Sequence, residues 1–322
     1  MHGLHYTQVP LDRAEPLRRD GEWQRERLTD PSSRIFPVWR SRSLIVAGEA
    51  PRAVALSPGA DIIARVDEIV FLGLDDHGRA CFAADVSGLD DADIGALGEG
   101  ARFIELRRVG SILDHGQGAI LAYARGLLHW HRRHRFCGGC GAATESRDGG
   151  HTRVCIDPPC GAHHFPRSDP AVIMLVTREV GDGGQCLLAR QARWPRGMMS
   201  TLAGFVEPGE SLEEAVMREI EEETGISIAF PSYRGSQPWP FPSSLMLGFR
   251  AETEADAVLR VNAAELEDAR WFSRDEIRDR RSIGLVLPGR DSIARRLIEE
   301  WVKEGEGGRT SQTEEAEPCP AL

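Results

Sequence analysis

Between Ile35 and Leu106, apolar residues come in short runs separated by Gly- and Asp-containing turns: Ser43–Ala47, Ala53–Leu56, Ile69–Leu74, Ala80–Ala84 and Phe103–Leu106. Runs of this length between such breakers predict strands, hence a small strand-rich α+β domain. Over residues 117–135 the period changes. Ile120, Leu121, Ala124, Leu127, Leu128 and Trp130 recur on one stripe of a helix. Beyond Ala171 strands and helices alternate. Ala171–Thr177 reads as a buried strand, Gly181–Gly184 as a hairpin turn into Cys186–Ala189, and Met199–Gly204 and Leu245–Ala251 as further strands. Residues 292–302 read as a helix with Asp291 as its cap. Residues 1–30 show no period and predict a partly ordered arm, and 303–322 predict a disordered acidic tail.

One helix departs from this scheme. Pro208-Gly209 marks a turn, Ser211 and Glu214 form a capping box, and Gly225 stands where a glycine ends a helix. Leu212, Ala215, Val216 and Ile220 supply its apolar stripe. At about 100° per residue, Glu219, Glu222 and Glu223 share roughly a third of the circumference and overlap that stripe. Glu213, Glu214 and Glu221 point elsewhere. An acidic helix is ordinarily a solvated face. Here three like charges on the inward side repel and call for a cation. Oxygen ligands suit Mg²⁺, Mn²⁺ or Ca²⁺ rather than zinc.

Composition narrows the class. The 322 residues are 41% apolar and 28% charged, as expected of a soluble globular chain of two domains or more. No run is long enough to span a bilayer, and the N-terminus lacks a secretory h-region, so the expected location is cytoplasmic. A net charge of -11 argues against a general nucleic-acid surface. Of seven cysteines, four fall between 137 and 160; Cys81, Cys186 and Cys319 stand apart and read as structural or incidental. Cys137 and Cys140 form a C-x₂-C knuckle, whereas four residues separate Cys155 from Cys160. A closed Cys₄ structural zinc site is expected, with His151, His163 and His164 as substitute ligands and unliganded thiols as the alternative.

From Gly204 to Ile226 the chain reads GFVEPGESLEEAVMREIEEETGI. With Gly204, Glu210 and Arg218-Glu219-Ile220-Glu221-Glu222-Glu223-Thr224-Gly225-Ile226 in place, it resembles the signature of the Nudix hydrolases at every defining position. Ser236-Gln237-Pro238-Trp239-Pro240-Phe241-Pro242-Ser243-Ser244 resembles the SQPWPFPxS motif of the NADH pyrophosphatase subfamily, which also places a zinc ribbon before its Nudix domain. On its own that run reads as a rigid extended loop, stiffened by proline.

The resemblance implies an α-β-α sandwich Nudix fold at 169–302, a zinc ribbon at 131–168 and the N-terminal α+β domain at 1–130. It implies metal-dependent hydrolysis of the diphosphate of NADH or NAD⁺ to nicotinamide mononucleotide and AMP. Glu219, Glu222, Glu223, Glu265 and the backbone of Ala203 would hold Mg²⁺ or Mn²⁺, and Glu210 and Arg218 would orient the helix. Cys137, Cys140, Cys155 and Cys160 would hold Zn²⁺. Substrate contacts would come from Arg107, Phe165, Phe205, Gln237, Pro238, Trp239, Pro240, Phe241, Pro242, Ser243, Ser244, Met246 and Ala294, with Phe165 where tyrosine is common. A homodimer is expected. The alternatives are removal of NAD caps from RNA, for which the basic run His131–Arg135 is the motive, a broader pyrophosphatase of ADP-ribose or dinucleoside polyphosphates, and an inactive nucleotide sensor.

Overall fold

A computed structural model of the chain describes residues 3–58, 65–66, 68–97, 100–180 and 183–307. The turn expected at Gly181 and Asp182, the tail beyond Gly307 and Cys319 lie outside the described residues. The chain divides into two compact units: Met1–Asp169 with Gln237–Leu245, and Pro170–Ser236 with Met246–Leu322.

The first unit opens with a short 3₁₀ turn, Glu15–Arg18, and helix α1, Gly21–Arg27. Strands β1 (Arg34–Trp39), β2 (Arg42–Val46), β3 (Arg52–Ala53), β4 (Ile69–Leu74), β5 (Ala80–Asp85) and β6 (Ala101–Glu105) form one sheet, ordered β3-β2-β1-β5-β4 with β6 on β2. Helix α2, Asp91–Gly95, precedes β6, and α3 (Leu106–Val109) leads into α4 (His115–Arg133). β1 and β5 pair in parallel at the centre and bury residues on both faces. Successive side chains alternate, so Phe36, Val38, Cys81 and Ala83 join the α4 core while Ile35, Ala80, Phe82 and Ala84 join the opposite one. The 1–30 arm is better ordered than its lack of period suggests. Tyr6 and Leu11 are buried in the α4 core, and Asp12 bridges to Leu74.

The ribbon belongs to this unit. Its strands are β7 (Thr144–Arg147), β8 (Thr152–Cys155) and β9 (His163–His164), in that order. Two members of the basic run before it are engaged, while Arg133 and Arg135 are exposed. His131 is buried, its Nε2 bonded to the Gly150 carbonyl at 2.7 Å and its Nδ1 3.2 Å from Glu68, which also pairs with Arg153 at 2.7 Å. Arg132 faces Asp85 at 3.5 Å.

The second sheet contains β10 (Asp169–Val180), β11 (Gly183–Arg190), β12 (Leu202–Phe205), β13 (Ser232–Trp239), β14 (Ser244–Glu252) and β15 (Asp268–Ser273), ordered β13-β14-β10-β11-β15 with β12 on β10. Helix α5, Leu212–Thr224, sets Ala215, Val216 and Ile220 into a core with Val172, Met174, Val176 and Phe249. Short α6, Arg274–Arg278, follows β15. Helix α7, Ile293–Gly307, covers the other face: Ile293 abuts Gly248, and Glu304 pairs with Arg250, at positions out of phase with Phe249. The result is an α-β-α sandwich. At the start of α7 the Arg295 N–H bonds to Ser292 Oγ. One expectation changes: the helix continues through 303–307, where a disordered tail was expected. No described helix is long and apolar enough to cross a membrane.

Candidate active site and metal centre

Helix α5 is built as its sequence predicts. Ser211 and Glu214 complete a reciprocal capping box, and Gly225 ends the helix at φ 66°. At its inner side Glu219 is 9% exposed and Glu223 4%, but Glu222 is exposed. The expectation of three inward acids therefore holds for two. Glu222 instead accepts from Arg218 Nη1 at 3.0 Å, four residues earlier on the helix.

Arg218 braces the cluster. Its Nε and Nη2 meet both oxygens of Glu210 at 2.5 and 3.0 Å, Nη1 reaches Glu219 at 2.9 Å, and Nη2 donates to the Phe205 carbonyl at 2.9 Å. One guanidinium thus ties the loop before α5 to its third turn and to the end of β12. Gly204 on β12 is required by the same packing. A Cβ there would lie 1.8 Å from Cδ of Glu219. Next to it, Ala203 is exposed at the strand edge, paired with Ile173.

Glu223 is the electrostatic outlier. Burial, and the negative charges of Glu219, Glu265 and Glu222, push its pKa up to about 8. Its Oε2 is buried with no hydrogen-bond partner, as is the hydroxyl of Thr201. Both residues line a cavity of about 220 Å³ with Ala203, Gln191, Arg193 and Trp194. Glu265, expected among the metal ligands, comes near through the loop that begins at Asn262. Asn262 N–H bonds to the Glu223 carbonyl at 2.9 Å, and Asn262 Nδ2 donates to Glu265 at 3.1 Å. The Asn262-x-Ala264 turn, with Ala264 N–H on Asn262 Oδ1, was the available signal. Among the described residues no three carboxylates converge within 4.8 Å; only the cysteines do. Arg218 is the single cation contacting this acid group, and the buried unpartnered oxygen of Glu223 fits a divalent, oxygen-preferring ion.

The four thiols behave differently. Cys137 and Cys160 sulfurs are 3.8 Å apart and those of Cys140 and Cys155 3.4 Å, all four within 4.8 Å. A tetrahedron with Zn–S near 2.3 Å has edges of about 3.8 Å. The wide Cys155–Cys160 spacing is absorbed by a longer knuckle. Cys137 N–H bonds to the Ala142 carbonyl, whereas Cys155 N–H bonds to that of Ala162, two residues further on. Gly141 and Gly161, each after a second cysteine, take φ 80° and 54°. Backbone N–H groups of Cys140 and Gly139 lower the Cys137 thiol to about 6, and burial raises that of Cys155 to about 12. Among the described residues the converging ligand set is the four cysteines, with the His164 side chain beside Cys137. His151 instead bonds to the Phe71 carbonyl at 2.9 Å. The donor set fits structural zinc.

The substrate positions divide. Phe165 and Phe205 are 53% and 60% exposed, and Arg107 is exposed with its guanidinium 5.8 Å from the Trp239 ring. Met246 is half-buried and Ala294 buried. The proline–aromatic run is a strand end and turn, with a cis Phe241-Pro242 bond, and not a free loop. Gln237 is fully buried and donates to the His5 carbonyl at 3.0 Å. Trp239 and Phe241 pack edge-on against Tyr6 at 5.9 and 5.8 Å. Pro238, Pro240, Ser243 and Ser244 border a separate cavity of the first unit; Pro242 turns the chain between them.

Comparison with known proteins follows the same division. Residues 167–296 match the model of the NUDIX domain, 132–165 that of the NADH pyrophosphatase zinc ribbon domain, and 32–130 that of an NADH pyrophosphatase-like rudimentary NUDIX domain. The NAD-capped RNA hydrolase NudC of Mycobacterium bovis is 40% identical over 314 residues, covering 92% of this chain and 93% of its own. The NAD-capped RNA hydrolase NUDT12 of Homo sapiens is 43% identical over 201 residues, 59% of this chain. The match spans 43% of the length of that relative and of its Macaca fascicularis counterpart, less than half. A solved NUDIX hydrolase from Nitrosomonas europaea superposes over 55% of this chain and 94% of its own, with 24% identity and a TM-score of 0.40.

Proposed function

We propose a function from one premise: the chain belongs to the Nudix hydrolases, in the branch that carries an NADH pyrophosphatase zinc ribbon. It hydrolyses the diphosphate of NADH or NAD⁺ to nicotinamide mononucleotide and AMP, and takes the same linkage where NAD caps an RNA 5′ end. The relatives named as NAD-capped RNA hydrolases support the second substrate. One observation carries the chemistry: Glu223, with its Oε2 buried and unpartnered, lies in the field of Glu219, Glu265 and Glu222, and among the described residues Arg218 is the one cation that pairs with those acids.

Glu219, Glu222, Glu223, Glu265 and the Ala203 carbonyl would hold Mg²⁺ or Mn²⁺. Such ions, when bound, neutralise the diphosphate and lower the pKa of water. The chain's own part is to position and to take a proton. Glu210 and Arg218 fix the helix against β12 through the hydrogen bonds described above. The proton of the attacking water goes to a carboxylate of the cluster, Glu222, Glu223 or Glu265. Phe165 and Phe205 offer exposed faces for base stacking. Pro238, Pro240, Ser243 and Ser244, which border the cavity of the first unit, stay in this reading as substrate contacts with Pro242, Arg107, Met246 and Ala294, whereas Gln237, Trp239 and Phe241 are engaged within the first unit. Cys137, Cys140, Cys155 and Cys160 hold structural zinc. The homodimer expected from the resemblance belongs to the same proposal, and sedimentation of the purified chain tests it.

The decisive experiment is a panel of NADH, NAD⁺, ADP-ribose and NAD-capped RNA with Mg²⁺ or Mn²⁺, products resolved by chromatography. Release of nicotinamide mononucleotide is expected. NADH that binds but is not consumed would assign a sensor instead, and cleavage confined to ADP-ribose the broader pyrophosphatase.

A further inference from the structure

The rudimentary domain of the first unit carries an open hollow of about 400 Å³ between the loop before β1, the segment through β3 to Ser57, and the β4–β5 turn. Its polar wall is Ser32, Ser33, Arg34, Arg52, Ser57 and Arg79, and no carboxylate lines it among the described residues. Surface arginines are ordinarily solvated. Two observations set these apart.

The first is charge. Asp75 is the acid that meets these arginines, and Arg79 occupies it. Asp75 Oδ2 accepts from Arg79 Nε at 2.8 Å and lies 2.8 Å from its Nη2, while Oδ1 accepts the N–H groups of His77 and Arg79 at 3.0 and 2.9 Å. Arg34 comes only within 3.9 Å of Oδ2, beyond a charge-assisted hydrogen bond. Arg52, exposed on the edge strand β3, meets no carboxylate among the described residues. Asp30, in the loop before β1, is also occupied: it accepts from Arg27 at 2.6 Å and from the Ser32 N–H at 2.9 Å. Three guanidiniums facing the single charge of Asp75 leave two positive charges unmatched.

The second is a hydroxyl. Ser33 is 3% exposed, and its Oγ is buried with no hydrogen-bond partner, although its N–H is bonded to the Asp30 carbonyl at 3.0 Å. A buried hydroxyl without a partner is destabilising, and an acceptor oxygen brought into the hollow would satisfy it. Guanidinium forks beside serine hydroxyls suit an oxyanion with several acceptor oxygens, and a surplus of two charges suits a dianion. Phosphate has both properties, whereas a carboxylate has one charge and is met by one fork. No aromatic side chain lines the hollow, so nothing there would hold a nucleotide base, and the ligand is recognised by its phosphate alone.

We propose that this hollow binds a phosphate dianion, free or as the head of a small phosphomonoester, at a site that the diphosphatase reading does not use. The test is calorimetric titration of inorganic phosphate and of glycerol 3-phosphate into the full-length, zinc-loaded chain at constant ionic strength, without added Mg²⁺ or Mn²⁺. Melting temperature is recorded for each variant. Arg52→Ala is expected to weaken phosphate about tenfold or more, the effect of losing a charge-assisted hydrogen bond. Ser33→Ala should weaken it severalfold yet leave the phosphate-free melting temperature unchanged or higher, because the hydroxyl removed had no partner. Glu223→Gln should bind phosphate as the wild type does, which separates this hollow from the acid cluster. Wild-type affinity should rise from about pH 5 to 7, as the second phosphoryl proton leaves near pH 6. Binding of both ligands assigns the site to phosphomonoesters, and binding of inorganic phosphate alone assigns it to free phosphate. If Ser33→Ala does not fold, the exposed Arg52 decides. Equal phosphate affinity in the wild type and Arg52→Ala, absence of binding of either ligand at millimolar concentration, or displacement of phosphate by chloride as readily as by sulfate would each overturn the site.

Discussion

The ribbon and the acid helix both gather four like side chains, yet they assemble in opposite ways. The four thiols stand at about tetrahedral separation. The carboxylates stay apart, Glu222 drawn outward and Glu219 held by Arg218, with Glu223 buried against its own charge. Each thiol pair is placed by backbone hydrogen bonds within its own knuckle, Cys137 N–H on the Ala142 carbonyl and Cys155 N–H on that of Ala162. Carboxylates repel when ionised: Arg218 offsets Glu210, Glu219 and Glu222, and the burial and neighbouring charges that Glu223 meets hold its pKa up at about 8. The thiol site is set by local backbone geometry, whereas the acid site depends on side chains brought in from other elements.

The sharpest way to break this contrast is to remove zinc. A strong chelator, or Cys140→Ser, should lower the melting temperature by about 10 °C or more, since structural zinc sites contribute of order 10 kcal/mol to folding. An unchanged melt with no zinc in the elemental analysis would end the ribbon argument. Glu223→Gln should leave the fold intact, raise the metal-free melting temperature slightly by removing a buried charge, and cut kcat by about 10²–10³-fold. Wild-type turnover at saturating Mg²⁺ would overturn its role. Gly204→Ala forces the Glu219 carboxylate aside and should cost about 1–3 kcal/mol in chemical denaturation. The smallest effect is a proton count. Glu223 has its pKa raised from 4.5 to about 8, so metal-free stability is greatest below 4.5 and declines as pH rises through 8. Metal affinity should rise over the same window. At pH 7, calorimetry in buffers of differing ionisation enthalpy should detect release of up to about one proton.

Much of this molecule was legible in its residues because the relevant information was local. The capping box Ser211/Glu214, the terminal Gly225 and the C-x₂-C knuckle each act within one turn of chain, and the structure contains all three. Strands β4 and β5 fall where the apolar runs place them. Readings that depended on long-range partners changed. Within the basic run, His131 and Arg132 are engaged with Glu68 and Asp85, far away in sequence, while Arg133 and Arg135 stay exposed. The arm looked patternless because its anchors, Tyr6 and Leu11, are single residues filling a distant core. The proline–aromatic run gave no sign that Gln237 would serve the backbone of His5, more than two hundred residues earlier.

By itself, then, the order of residues determined the helix that carries the acids, its ends, the two cysteine knuckles and the alternation that makes both sheets. Those features follow from hydrogen bonds and side-chain periods spanning a few residues. Only the tertiary structure decided that Glu219 fits because Gly204 has no side chain, that Asn262 brings Glu265 toward Glu223, and that three arginines from separate segments share one hollow. Burial and unshielded charge depend on what the rest of the chain packs alongside, and no local pattern encodes that.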